Sequence, residues 1–170
     1  MLNNKVEKRI EISAWIFMSI ILIMFVPKNK VREANIAFLF MQVITWFFGL
    51  LVVEKNLISY PSRLFFKKSS KPSFTFEYFV YPAISSLFNV YYPEKKHTFI
   101  KSMHYLFYTL LLTFFEVLAV KHTKLIRYNK WTWYWTFITI WITFYFSRIY
   151  SRWFFKDKSI NASLQNKNHL

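Results

Sequence analysis

A chain of 170 residues that is 55% hydrophobic and 23% Phe, Trp and Tyr has too little interior to hide its large apolar groups, which excludes an ordinary soluble globular domain. One Gly against five Pro disfavours tight-turned sheets and barrels, and lipid then admits only helices. The net charge of +15 is spread between apolar segments, so the expected partner is a lipid bilayer with anionic headgroups and no nucleic acid.

The first apolar segment covers about 10–26, behind Lys5, Lys8 and Arg9. No small-residue cleavage site follows it, so it reads as an uncleaved helix. Segment two, 34–53, has 20 residues without a charge, about 30 Å of helix and enough for the hydrocarbon core. Its Gln42, Thr45 and Gly49 share one face, the mark of a helix–helix contact in lipid. A basic link, 54–73, carries Tyr60-Pro61-Ser62-Arg63, where Pro61 makes Tyr60 extended.

Segment three, 74–92, is interrupted by Glu77, Pro82, Ser85, Ser86 and Asn89, and Pro82 removes a helical hydrogen bond. Segment four is 98–120. Segment five is 131–150, with Trp131, Trp133, Tyr134 and Trp135 as an interfacial belt at its start. Thr132, Thr136, Thr139, Thr143, Ser147 and Ser151 draw a hydroxyl stripe along segment five, read as a packing seam, or alternatively as a pore lining. Arg148 and Arg152 are expected to snorkel at its end.

With five crossings the two sides carry 12 and 11 basic residues, which shows no bias. If segment three enters and leaves on one side, the counts become 16 and 7, with both termini cytoplasmic. Charge counting therefore favours four crossings and one embedded helix. The expected fold is an all-α integral membrane helix bundle with four to five membrane-embedded helices. Residues 1–155 form a single multi-pass domain, and 156–170 form a polar, disordered tail.

The sequence holds no Gly-rich phosphate loop, zinc signature or nucleophile elbow, and it has no Cys. The expectation is a protein without catalytic residues, metal or cofactor. Intramembrane polar groups are the functional candidates, because burying them is costly. Glu116 sits about one turn inside Lys121, where it reaches the interface or pairs with a basic neighbour. Glu77 begins segment three, and His104 shares a face with Lys101 and Tyr108. Asn89 suits interhelical hydrogen bonding, and Arg63 suits a headgroup phosphate.

Tyr60-Pro-Ser-Arg63, Phe76-Glu77 with Tyr81-Pro82, Asn89, Glu116 and Trp133-Tyr134 resemble a family of small multi-helix membrane proteins from Bacillus-type spore-forming bacteria, over about residues 10–155. The resemblance implies a multi-pass inner-membrane location and no mechanism. The leading expectation is a non-enzymatic structural or accessory component that forms a homo-oligomer or packs against a membrane protein through its hydroxyl and small-residue faces. The alternatives are a small transporter or ion-conducting subunit using Glu77 and Glu116, and a lipid-acting membrane enzyme.

Overall fold

The computed structural model describes residues 5–65 and 72–167, with side chains described as far as 155. The Lys67-Lys68 part of the basic link lies outside the described residues. The fold is all-α, with one two-stranded ribbon. Helix α1 is Lys5–Phe25, α2 is Val31–Glu54 behind a 3-10 turn at Lys28–Lys30, and strand β1 is Ile58–Ser59. A π-helical turn at Phe76–Val80 leads into α3, Tyr81–Val90. Helix α4 is Thr98–His122, strand β2 is Arg127–Tyr128, and α5 is Trp133–Lys167. The backbone of α5 thus carries the helix into the polar segment for which the sequence suggests disorder.

Side-chain contacts fix the directions of the helices. Along segment three, Glu77 lies beside Thr45 and Ser86 bonds Ala34, so it runs antiparallel to α2. Tyr81 meets Glu116 and Phe88 meets Tyr105, so it also runs antiparallel to α4. Its far end reaches the α1–α2 turn, where Tyr91 bonds Phe25 and Lys30 bonds Val90. Segment three therefore passes through the bundle from one end to the other and does not turn back. Within the bundle this path differs from the turn-back path that charge counting favours. The reason is placement: α3 is the central helix, with Pro82 to Ser86 and Phe88 to Val90 buried. A helix wrapped by four others needs no long apolar face of its own.

Two stretches, Lys28–Glu54 and Thr98–His122, are long and apolar enough to cross a membrane. In α1, Lys8, Arg9 and Glu11 leave a shorter uncharged run, and in α5 the many Trp, Tyr and Thr lower the hydropathy. All four long helices turn large apolar residues outward, among them Phe17, Ile23, Val43, Phe107, Phe114 and Phe146. Polar or charged residues occupy about half of the buried positions among the described residues, including Glu11, Glu77, Ser85, Asn89, Thr109 and Ser147. Buried polar groups in this proportion, under an outer face of large apolar side chains, are unusual for a water-soluble fold. The apolar core centres on Phe88, with Met41, Tyr105, Ile140 and Phe144 around it.

The sequence expectation for Arg148 is also corrected. It does not snorkel outward. It is 8% exposed, bonded to Glu94, 3.8 Å from Glu33 and stacked over Tyr92 at 4.2 Å. Two carboxylates and an aromatic face within reach make the inward rotamer the better one.

Candidate functional site

The site is built at the end of the bundle where α1 begins, and the end of α2 sets it up. Asn56 adopts a positive φ of 52°, a conformation that Asn tolerates better than most residues. The Asn56 and Leu57 N–H groups then bond the Val53 and Val52 carbonyls, a Schellman closure that turns the chain sharply. That turn lays Ile58 opposite Tyr128 and Ser59 opposite Arg127 in an antiparallel ribbon. The ribbon brings Tyr60 and Tyr128 over the bundle from two distant parts of the chain. Ile58, Tyr60, Leu125 and Ile126 form a small apolar cluster beneath it.

Pro82 organises the second wall. It has no N–H, so a carbonyl one turn earlier loses its donor. The backbone before it is π-helical, with the Tyr81 N–H reaching back to the Phe76 carbonyl. The freed carbonyls are those of Tyr78 in the α register and Glu77 in the π register. Gln42 Nε2 donates to Tyr78 O at 3.0 Å, and Thr45 Oγ1 donates to Glu77 O. The polar stripe on α2 is thus the complement of the break in segment three, a frequent device at π-bulges. Gly49 completes the stripe: a Cβ there would stand 3.1 Å from Glu77 Cδ, so the missing side chain makes room for the carboxyl.

This pairing makes a testable cycle. Gln42→Leu should lower stability by about 1–2 kcal/mol by orphaning the Tyr78 carbonyl. Pro82→Ala in the Gln42→Leu background should recover part of that loss, since alanine restores a backbone donor. Unfolding midpoints in a detergent titration read both effects, and strictly additive penalties would sink the pairing.

The two carboxyls converge on one cavity. Glu77 accepts from Tyr60 Oη at 2.7 Å. Glu116 accepts from Tyr128 Oη at 2.6 Å and Thr136 Oγ1 at 2.7 Å, and its other oxygen takes the Tyr81 hydroxyl. Trp131 Nε1 donates to Thr136 at 2.9 Å and steadies that hydroxyl. The cavity holds about 310 Å³, and Glu77, Glu116, Tyr60, Tyr81, Trp131 and Phe48 are among its walls. No Lys, Arg or His lines it among the described residues. Burial first, then the Glu77 carboxylate, holds the Tyr60 hydroxyl well above the usual phenol range. Burial and then Glu116 do the same for Tyr128. Both therefore stay protonated and act as donors.

The structure thus brings Glu77 and Glu116 together and leaves the other candidates elsewhere. Glu116 has no ion pair among the described residues; aromatic and threonine hydroxyls take the place of the basic neighbour that the sequence suggests. Asn89 is buried between α3 and α5, donating to Ser85 O at 3.0 Å and Ser147 Oγ at 2.9 Å. His104 bonds the Phe88 carbonyl at 3.0 Å and ties α4 to α3. Arg63 is half-buried in the link and does not line the cavity. Among the described residues no group of three His, Asp or Glu side chains is placed to hold a metal.

Both stripes expected to meet a partner are used inside the chain. Gln42, Thr45 and Gly49 face segment three. On α5, Ser147 bonds Ser85 at 2.9 Å, Thr136 meets Glu116, and Thr139 and Thr143 line the cavity. Tyr60, Tyr81, Tyr128 and Thr136 complete the site. The sequence marks three of them only as motif or stripe positions and gives no signal for Tyr128. No family model, curated protein or solved structure matches this chain.

Proposed function

We propose that this chain is a multi-pass protein of the bacterial cell membrane that binds a small, partly apolar organic ammonium ion between Glu77 and Glu116. The observation that carries the reading is a single aromatic-walled cavity entered by two carboxyls and, among the described residues, by no basic side chain. The two carboxyls present acceptor oxygens to an ammonium group, and Tyr, Trp and Phe faces favour both cations and short alkyl groups. The membrane location is supported by the two long apolar helices and by the outward apolar, inward polar distribution. The same groups serve the transporter reading of the sequence. The accessory-component reading has less support, because the faces it needs are closed within the chain.

The test uses the purified full chain in a neutral maltoside detergent. Butylammonium should raise the thermal midpoint saturably, whereas butanol and butyrate should not. Glu77→Gln with Glu116→Gln should weaken the butylammonium effect by about tenfold or more, the scale of one lost charge-assisted contact. The proposal fails if butylammonium does not stabilise the protein, or if the double variant responds as the parent does.

A further inference from the structure

The opposite end of the bundle has a second cavity, of about 800 Å³, where the α1–α2 turn meets α5 and the loop after α3. Arg32, Glu33, Glu94, Arg148, Ser151 and Arg152 line it, with Trp153 at the rim. We propose that this cavity binds a phosphate group, held by Arg32, Arg152 and the Ser151 hydroxyl.

The charge distribution makes the first part of the case. Arg148 is already committed to Glu94 and Glu33, and both carboxylates are drawn towards it. Arg152 touches the cluster only at 3.9 Å from Glu94, and its side chain is 70% exposed. Arg32 is exposed, with its guanidinium 6.0 Å from the Phe154 and Phe155 rings. Three guanidiniums against two carboxylates leave positive charge facing the cavity among the described residues. Guanidinium forks match phosphate oxygens better than ammonium groups do.

Unpartnered buried donors make the second part. Ser151 is 2% exposed, and its hydroxyl has no partner among the described residues. The Arg148 Nε is buried and also without one. These two buried donors lie on adjacent turns of α5 beside the cavity, and a bound anion would supply the missing oxygen. Trp153, 67% exposed, adds an amphipathic ring suited to the glycerol region of a lipid. The phosphate can come from a lipid headgroup or from solution.

The full chain in neutral maltoside detergent is titrated with dihexanoyl phosphatidylglycerol and, separately, with inorganic phosphate, reading the thermal midpoint. At least one probe should bind saturably. Arg32→Gln with Arg152→Gln should weaken that binding by about tenfold or more, and Ser151→Ala by several-fold. Lys95→Gln with Lys96→Gln removes the same charge from the neighbouring loop outside the cavity and should change little. Binding of the lipid alone assigns a headgroup, and equal binding of both probes assigns free phosphate. No saturable binding of either probe overturns the proposal, as does an equal loss in the two double variants. Ser151→Ala carries the test if the double arginine variant is not monodisperse, and parental affinity in it then overturns the site.

Discussion

Phe88→Ala will cost about 3–5 kcal/mol of stability, the range of a phenylalanine removed from a closed core. Phe88 is fully buried and joins three helices. Its ring stacks on Phe144 at 4.6 Å and meets Tyr105 at 4.9 Å, His104 at 5.0 Å and Tyr108 at 5.5 Å. In lipid the transfer part of that cost shrinks, because acyl chains solvate a ring nearly as well as a protein core does. What remains is the cavity and the lost aromatic and dispersion contacts, which favours the lower part of the range. The control is Phe115→Ala on the outward face of α4, where the ring is 58% exposed. It should change stability by less than about 0.5 kcal/mol. Unfolding of both variants by sodium dodecyl sulfate from a maltoside micelle makes the comparison. Equal losses would mean that Phe88 does not sit in a packed core.

The long helices are readable because hydropathy and length report directly on 34–53 and 98–120, which the structure finds within α2 and α4. The path of segment three is not readable. Charge counting assumes that a short, polar-interrupted helix has to face lipid or stay at the surface. Segment three does neither: Gln42 and Thr45 satisfy the backbone that Pro82 frees, and Ser147 satisfies Asn89. Enclosure by the other helices replaces intrinsic hydropathy, and single-segment scales do not see enclosure.

The candidate site divides in the same way. Glu77 and Glu116 stand out because a carboxyl within an apolar helix is expensive wherever it sits. Their convergence depends on the direction of α3. Tyr60 and Tyr128 depend on a two-residue ribbon, and that ribbon depends on the left-handed Asn56 that closes α2. A short pairing between loops that lie far apart in sequence leaves no periodic trace. The inward turn of Arg148 is hidden for a related reason, since Glu33 and Glu94 come to it from other elements.

Glu116→Leu is the second large effect, about 2–4 kcal/mol, and it tests whether the carboxyl organises the site. Three hydroxyls, those of Tyr81, Tyr128 and Thr136, donate to it. Each buried donor left without an acceptor costs about 1–3 kcal/mol. The full sum will not appear, because the Tyr128 and Thr136 hydroxyls are 2.9 Å apart and can pair with each other. Tyr81 has no such fallback among the described residues and should carry most of the loss. Two further variants separate charge from hydrogen bonding. Glu116→Gln keeps an acceptor oxygen and should cost less than about 1 kcal/mol, since the hydroxyls still find a partner. Tyr81→Phe added to Glu116→Leu should cost little more or recover stability, because it removes the stranded donor. Independent penalties for the two substitutions would show that Tyr81 does not depend on Glu116. A Glu116→Leu protein as stable as the parent would leave the carboxyl free of any structural duty, and the ligand titration with Glu116→Gln would then report on binding alone.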